Sequence, residues 1–400
     1  MNILQFFRDA VVGAILISFV FLSPSLTMAS ANNGTNGNDN NGGGTGGNGV
    51  KIRVVAESDS EASKAVEHGC NVVRETRGLK ALTCSQNVAE TLGLREDLRA
   101  FETDVGANAQ IGADKVQSSN DTGVGRKIAV LDTGCNYNHP DLMTSCTQAG
   151  MDYVNDDFDP FDDNGHGSHV AGLITGDGVF SPAKGVAPGA QIIPVKVLDK
   201  YGSGYFSDII AAIYWVVDGP DGIAGNVDDP KVDAISMSLG TSAPYLYKGY
   251  CDSVFPTLTD AIKYAASRGV VVVVAAGNSG SSGVSIPGCI SYSTTVGAVY
   301  TTDSLASFSG IGKAVDIVAP GVNLVSTWLG NGYVTASGTS MSTPIISGTV
   351  ALIKYTHPGY TPSQVEAALY KTAKDLGRKG KDQYYGYGRV DASAALSYAP

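Results

Sequence analysis

From about residue 110 to residue 400, short apolar runs alternate with longer segments in which small and apolar residues recur at helical spacing. The apolar runs that predict strands are residues 128–132, 191–198, 234–239 and 269–275. The segments that predict helices are residues 166–175, 207–216, 256–267, 340–357 and 361–372. Because the strands are almost continuously apolar, the pattern predicts an α/β domain with a parallel sheet covered by helices on both faces.

A shorter and more polar pattern precedes this region, over residues 51–106. Its predicted elements are a strand (residues 51–56), a charged helix (58–68), a hairpin turning at Arg77-Gly78 (71–82), a second helix (85–94) and an extended exit (99–104). That order predicts a small α+β unit of the ferredoxin-like type.

The first 50 residues have the features of a targeting segment and a linker. Arg8 precedes an apolar stretch over residues 10–22, and Ala29-Ser30-Ala31 provides the small residues that a signal peptidase requires. We expect residues 1–31 to be a signal peptide, because the apolar stretch is short for a membrane span; an uncleaved anchor is the alternative. Residues 32–50 are almost wholly Asn and Gly and are expected to form a disordered linker.

Composition restricts the partners of the chain. The 400 residues are 43% hydrophobic, enough to bury the core of one sizeable domain and a smaller one. The formal net charge is -11 and no basic run is present, so nucleic acid and anionic membrane surfaces are poor candidate partners. Six cysteines allow fifteen pairings. Their spacing favours Cys70–Cys84, Cys135–Cys146 and Cys251–Cys289.

Three motifs carry the chemistry. Asp132 ends an apolar strand, His166 lies in Asn-Gly-His-Gly-Ser-His, and Ser340 lies in Gly-Thr-Ser-Met-Ser-Thr-Pro. Serine needs a base to become a nucleophile, and a histidine, with an unperturbed pKa near 6.5, accepts and returns a proton at neutral pH. An aspartate holds the imidazole in the required tautomer. Each residue alone could be a turn or helix-capping residue, but all three in this order predict a nucleophilic hydrolase.

In this order and with these flanks, the motifs resemble those of the subtilisin-like serine proteases. The resemblance covers residues 107–400, up to the Gly-Tyr-Gly-Arg-Val-Asp-Ala motif at residues 386–392. It implies a serine endopeptidase that forms an acyl-enzyme on polypeptide substrates. It also implies that residues 51–106 are a propeptide, which acts as chaperone and inhibitor of its own catalytic domain; an accessory module retained in the mature protein is the alternative.

The resemblance extends to the groups around the nucleophile. Asn278, in Ala-Ala-Gly-Asn after an apolar strand, matches the side-chain donor to the oxyanion, which would act with the backbone N–H of Ser340. A turn-forming asparagine is the alternative. The two segments that would pair with an extended peptide on both sides are Gly202-Ser203-Gly204 and Ser238-Leu239-Gly240.

The S1 pocket would be lined by Ala275, Gly277 and residues 279–287. That stretch contains no acid, so we expect broad specificity with a preference for large apolar or aromatic P1 residues. An acidic run precedes His166, and it is interpreted as a solvated or metal-binding loop that could also bias neighbouring subsites toward Lys or Arg. The run consists of Asp156, Asp157, Asp159, Asp162 and Asp163.

A metal site is predicted in an acidic insertion that follows the helix at residues 207–216. Its candidate ligands are Asp218, Asp221, Asn226, Asp228 and Asp229. Closely spaced carboxylates among glycines suit Ca²⁺, which takes six to eight oxygen ligands. Similar insertions occur in subtilisins of heat-loving archaea; a merely soluble loop is the alternative. Asp141 matches a ligand of the common calcium site of the family, but residues 175–184 lack the usual asparagine, so we do not expect that site to be intact.

The sequence therefore predicts a secreted, extracellular, calcium-assisted endopeptidase, made as a self-processing preproprotein and acting as a monomer without stable membrane association. One alternative is a non-catalytic homologue whose cleft only binds peptides, but no residue of the proposed triad is missing. A second is a processing protease dedicated to one partner, against which the neutral S1 stretch argues.

Overall fold

The computed structural model describes residues 14–16, 51–76, 79–96, 105–178 and 183–399. The chain divides into two compact units, Thr27–Glu102 and a larger one formed by Met1–Leu26 with Thr103–Pro400. The expected signal peptide lies outside the described residues except for Ala14–Leu16, which form a short strand. The Asn/Gly linker, the Arg77-Gly78 turn and the extended exit over residues 99–104 also lie outside them.

The described residues form the following elements. The strands are β1 (Ala14–Leu16), β2 (Lys51–Ala56), β3 (Asn71–Thr76), β4 (Leu79–Ser85), β5 (Arg95–Glu96), β6 (Lys127–Asp132), β7 (Met151–Asp152), β8 (Gln191–Lys196), β9 (Ser203–Tyr205), β10 (Ala234–Met237), β11 (Leu246–Tyr247), β12 (Val271–Ala275), β13 (Val284–Ser285), β14 (Thr294–Val299), β15 (Ile317–Pro320), β16 (Leu324–Thr327) and β17 (Tyr333–Ala336). The helices are α1 (Asp59–Glu67), α2 (Gln86–Leu92), α3 (Val105–Ile111), α4 (Ala113–Ser118), α5 (His166–Thr175), α6 (Phe206–Asp218), α7 (Pro256–Ser267), α8 (Thr339–Thr356), α9 (Pro362–Thr372) and α10 (Ala392–Leu396).

In the larger unit, the described residues form a seven-stranded sheet with the order β15-β14-β12-β10-β6-β8-β7. All neighbouring strands are parallel. Alternate residues of one strand enter different cores: Ile128 packs in the core with α5 and α8, and Ala129 in the core with α6 and α7. Both faces are therefore covered, as the continuous apolar strands predicted, and the α/β fold is confirmed.

The smaller unit folds around its own core. Its strands form an antiparallel sheet with the order β3-β4-β2-β5, and α1 and α2 are the two helices between them along the chain. Helix α1 begins after Ser58, whose side chain accepts a hydrogen bond from the Glu61 N–H, a normal N-cap. Val54 and Leu82 are fully buried in the core. The first four elements follow the predicted order of strand, helix, hairpin and helix, whereas the last described strand is β5 at Arg95–Glu96 and the predicted exit over residues 99–104 lies outside the described residues.

The six cysteines form the three predicted disulfides, Cys70–Cys84, Cys135–Cys146 and Cys251–Cys289. The structure also contains elements that the hydrophobic pattern did not predict, among them β14, whose Thr-Thr-Val-Gly-Ala-Val sequence is fully buried. Burial on both faces allows threonine and glycine there, and it removes the alternation that would mark a strand. No described helix combines the length and the apolarity needed to cross a membrane.

Candidate active site

Asp132 and His166 meet where β6 ends and α5 begins. The two side chains are fully buried, and His166 Nδ1 lies 2.6 Å from Asp132 Oδ1. In the tautomer that carries its proton on Nδ1, this nitrogen donates to the carboxylate oxygen and Nε2 can act as an acceptor. Gly165 immediately precedes His166 with a φ of 107°, and a Cβ there would overlap the ring of Trp328. A glycine is therefore required at this position for the entry into α5.

Ser340 is the second residue of α8, and this helix packs against α5, which begins with His166. Ser340 is buried, and its Oγ donates to the Ser238 carbonyl oxygen at 3.2 Å. Ser238 Oγ donates in return to the Ser340 carbonyl oxygen at 2.8 Å. This reciprocal pair fixes the first turn of α8 against the segment that follows β10.

Asn278 is bound to the start of the same helix. Its Oδ1 accepts hydrogen bonds from Thr339 N at 2.9 Å and from Thr339 Oγ1 at 3.1 Å, which identifies the oxygen of the amide. A Cβ on Gly338 would lie 3.4 Å from Asn278 Nδ2 and 3.6 Å from Ser340 N. The missing side chain of Gly338 therefore leaves a space flanked by two N–H donors, at the positive end of the 18-residue α8.

A cleft of about 290 Å³, including its open mouth, adjoins Ser340. Its lining residues are Leu239, Gly240, Thr241, Ala275, Gly277, Asn278, Ser279, Ser285, Thr339 and Ser340. Four of the residues predicted to bind substrate, Leu239, Gly240, Ala275 and Gly277, therefore lie together here. None of the lining residues is charged.

Ser285 stands between two of these glycines. A Cβ on Gly277 would lie 2.6 Å from Ser285 Oγ, and a Cβ on Gly240 would overlap the same atom. The two glycines therefore leave the room that the serine occupies. Position 285 lies within the predicted lining stretch, but no local feature of the sequence distinguishes it from its neighbours.

The other predicted substrate segment forms β9 and its preceding turn. Gly202 N donates to the Asp199 carbonyl oxygen, and Ser203 N to Asp199 Oδ1 at 3.0 Å. Only glycine fits at position 204, because a Cβ there would overlap the Val197 carbonyl oxygen. Strand β9 pairs antiparallel with β1, Ala14 opposite Tyr205 and Leu16 opposite Ser203.

The acidic run before His166 is only partly a solvated loop. Asp156 and Asp157 are exposed, but Asp162 is fully buried and hydrogen-bonded. Asp163 forms an ion pair with buried Lys196 at 2.7 Å. Tyr137 donates to Asp159, and burial together with this carboxylate raises the pKa of Tyr137 to about 12.

His169, three residues after His166, does not compete as a base. It is fully buried, and its Nε2 lies 2.9 Å from the Val334 carbonyl oxygen. Burial lowers its pKa to about 4, so it is neutral at neutral pH.

The predicted calcium ligands lie at the end of α6 and in the insertion that follows it. Asp218 accepts a hydrogen bond from Tyr264 Oη at 2.7 Å. Asp221 accepts from Asn226 Nδ2 at 2.8 Å, and Asp229 Oδ2 from Gly225 N at 2.7 Å.

These bonds close the insertion on itself. The Asp228 N–H donates to Asn226 Oδ1, whereas Asp229 Oδ1 is buried without a hydrogen-bond partner among the described residues. Within that same part of the chain, no three His, Cys, Asp or Glu side chains converge on a point that could hold a metal ion. Asp229 Oδ1 is thus a buried oxygen of the insertion that a cation would satisfy without displacing an N–H donor.

Asp141, which resembles a ligand of the common calcium site, is fully buried and accepts a hydrogen bond from Tyr333 Oη at 2.9 Å. Burial and this carboxylate raise the pKa of Tyr333. Residues 179–182 of the completing loop lie outside the described residues.

Comparison with known proteins decides the family. Residues 123–388 match the model of the Subtilase family. The chain belongs to this family. Its members are the subtilisin-like serine proteases, so the resemblance stated from the three motifs is confirmed.

Named relatives are similar over most of this subtilase. It is 40% identical over 275 residues to a thermophilic serine proteinase of Bacillus sp. (strain AK1), covering 68% of this chain and 62% of the relative. It is also 40% identical over 274 residues to Subtilisin Savinase of Lederbergia lenta, covering 68% of this chain and 91% of the relative. With a thermostable alkaline protease of Halalkalibacterium halodurans, the identity is 33% over 355 residues, 86% of this chain and 91% of the relative. The chain thus spans less than two thirds of the first of these relatives.

Proposed function

We propose that this subtilase is a secreted serine endopeptidase in which Asp132, His166 and Ser340 form the catalytic triad. The buried 2.6 Å contact between Asp132 and His166 is the observation that carries the proposal. The packing of α5 on α8 supports it, because the proposed base is the first residue of α5 and the proposed nucleophile is the second residue of α8. Asn278 and the Ser340 N–H are proposed as the oxyanion donors.

In the proposed reaction, Ser340 Oγ attacks the carbonyl carbon of the scissile bond while His166 removes the hydroxyl proton. Asp132 stabilises the imidazolium that forms. The negative charge develops on the substrate oxygen, which Asn278 Nδ2 and the Ser340 N–H stabilise. His166 then gives its proton to the leaving amine. In the second half of the reaction, water attacks the acyl carbon while His166 removes its proton, and His166 returns the proton to Ser340 Oγ as the acid product leaves.

A fluorophosphonate tests this function directly, because it modifies only an activated serine. The purified protein should be labelled at Ser340 and should hydrolyse casein, whereas Ser340→Ala should do neither while keeping its melting temperature. If maturation is autocatalytic, the Ser340→Ala precursor should also remain uncut. Wild-type protein that is folded but neither labelled nor active would favour a non-catalytic peptide-binding homologue.

For specificity, we propose a preference for large apolar or aromatic P1 residues with broad tolerance. The uncharged lining of the cleft supports this, and it argues against a basic P1 residue. Peptide backbone would pair with β9 on one side and with Ser238-Leu239-Gly240 on the other, which tolerates many side chains.

Ser285 offers a way to measure the depth of this pocket. Ser285→Gly removes the hydroxyl from between Gly240 and Gly277, so kcat/KM for a Phe P1 substrate should rise relative to an Ala P1 substrate, by roughly tenfold. Paired p-nitroanilide peptides that differ only at P1 measure this ratio. Ser279→Gly, at a partly exposed serine that lines the same cleft, is the control; an unchanged ratio in Ser285→Gly would place the P1 side chain elsewhere.

We further propose that residues 51–106 are the propeptide, residues 107–400 the catalytic domain, residues 1–31 the signal peptide and residues 32–50 a linker. The separate core and disulfide of the smaller unit support an independently folding inhibitor. Three disulfides suit an oxidising, extracellular compartment. N-terminal sequencing of secreted material would locate the maturation site, and added residues 51–106 should inhibit the mature enzyme, which we expect to be a monomer.

Calcium is proposed as a structural ion of the insertion, with Asp229 and the side chains of Asp221, Asn226 and Asp228 as its nearest oxygen ligands. The buried, unsatisfied Asp229 Oδ1 supports this assignment. The ion would stabilise the fold and take no part in the chemical step.

A further inference from the structure

Thr133, the residue after Asp132, uses every one of its polar atoms behind the proposed triad. Its N–H donates to Asp132 Oδ1 at 2.7 Å, and its Oγ1 donates to Asp162 Oδ1 at 2.9 Å. The same Oγ1 accepts from Gly167 N at 2.9 Å, and the Thr133 carbonyl oxygen accepts from Lys196 Nζ at 2.7 Å. Thr133 is fully buried, so these bonds are not exchanged with water.

Asp162 connects this residue to the start of α5. Its fully buried carboxylate accepts five hydrogen bonds. The donors are Thr133 Oγ1, the amides of Asn164, Gly165 and Ser168, and Ser168 Oγ. These residues lie on both sides of His166 in the chain, so the carboxylate fixes the backbone from which the imidazole projects.

Lys196 connects the same residue to the neighbouring strand. Its side chain is 1% exposed, and Nζ donates to the Thr133 and Leu198 carbonyl oxygens and to Asp163 Oδ1. In the register of β6 and β8, Lys196 is the partner of Asp132. Its charge is paired with that of Asp163 at 2.7 Å.

The position of Asp132 depends strongly on this set of bonds. Asp132 Oδ1 receives both the His166 and the Thr133 hydrogen bond, whereas Oδ2 is buried with no hydrogen-bond partner in the described part of the chain. A Cβ on Gly167 would overlap the Gly134 carbonyl oxygen, so α5 and the end of β6 touch through their backbones. A shift of Thr133 would therefore move both groups.

A purely structural role explains this arrangement less well. Burying charged groups costs several kcal/mol each, and apolar residues of similar volume often stabilise a core at least as well. Hydrogen-bonded polar groups instead define one geometry. We propose that Thr133, held by Asp162 and Lys196, is a positioning residue that keeps Asp132 and His166 in their reactive geometry; this rests on the proposed function.

The test compares variants that keep the volume of Thr133 but change its hydroxyl. Thr133→Val should lower kcat on a p-nitroanilide peptide roughly 10- to 100-fold, because small displacements of catalytic groups have effects of that size, while KM stays within about twofold. Thr133→Ser keeps the hydroxyl and should recover most of kcat. Both are measured on the mature protein at a temperature well below melting.

Thr175→Val is the matched control, because Thr175 is also fully buried on α5 and its Oγ1 bonds to Ser145 Oγ and the Ala171 carbonyl oxygen. It should lose stability without losing kcat. If Thr133→Val does not fold, Ser168→Ala removes one of the five bonds to Asp162 and should lower kcat severalfold.

Three results would overturn the inference. They are a wild-type kcat in Thr133→Val (or in Ser168→Ala, if that variant is used), an equal loss of kcat in Thr175→Val, and no recovery of kcat in Thr133→Ser. The proposed function is separable from it. Wild-type protein that a fluorophosphonate does not label contradicts the function, whereas a labelled, active wild type with an unaffected Thr133→Val contradicts only the positioning role.

Discussion

Two groups of aspartates in this subtilase have opposite surroundings. Asp132 and Asp162, near the proposed base, are fully buried, and hydrogen bonds to both of them fix their positions. In the insertion after α6, Asp221 and Asp228 are exposed, and the hydrogen bonds of these two residues are made to residues 223 and 226 of the same loop. The hydrogen bonds around the first group connect β6, β8 and α5. Those of the second group connect only residues that are close in sequence.

The difference shows that the number of carboxylates says little about their role. Removing one partner of a buried ion pair costs about 3–5 kcal/mol, because the remaining charge stays without compensation. An exposed pair contributes about 0–1 kcal/mol. The buried group should therefore control geometry and catalysis, and the exposed group only local order.

The largest difference between the two groups of aspartates is expected when the kcat values of Asp132→Asn and Asp228→Asn are compared. In the proposed triad, the asparagine would favour the wrong tautomer of His166, so kcat should fall about 10⁴-fold with little change in KM. Asp228→Asn should leave kcat unchanged. Steady-state kinetics of both variants at one pH measures this; similar kcat values in the two variants would show that burial does not separate the groups.

Glu366 on α9 is an intermediate case that sharpens the comparison. Burial and the nearby Asp316 raise its pKa from 4.5 to about 7. The folded state thus favours the protonated form. The contribution of Glu366 to the free energy of unfolding is therefore fully present below pH 4.5 and is lost as the pH rises through about 7. Glu366→Gln should therefore raise the melting temperature at pH 9 by a few degrees and change it little at pH 4.

Asp260→Asn is the control for this pH dependence, because Asp260 is exposed on α7 and lies outside the proposed calcium site. Melting curves at the two pH values provide the measurement. An equal gain from Glu366→Gln at both pH values would mean that packing, and not ionisation, is responsible.

The smallest effect is expected from calcium at the insertion. An ion bound only by the folded state stabilises it by about 2.7 kcal/mol at a hundredfold excess over its Kd, so chelation should lower the melting temperature. Replacing Asp228 and Asp229 together by Ala should remove most of this sensitivity and leave kcat at low temperature unchanged. Equal shifts in wild type and double mutant would place the ion elsewhere, and the absence of a shift in both would contradict calcium binding.

The sequence alone determined the features that depend on local pattern. Continuous apolar runs predicted the buried parallel strands β6, β8, β10 and β12, since burial on both faces requires them. The flanks of Asp132, His166 and Ser340 are short motifs, so the proposed triad could be recognised before any tertiary contact was known. The disulfides join cysteines 11 to 38 residues apart, a spacing that favoured their pairing.

Only the tertiary structure decided which polar residues act together. Thr133 meets Asp162 and Lys196 across 29 and 63 residues, and nothing in their local sequences marks either contact. Ser285 lies between Gly240 and Gly277 only because the fold brings β13 next to the segments that follow β10 and β12. Such contacts depend on sheet register and on the entry angles of helices, which are properties of the packed core and not of any one segment.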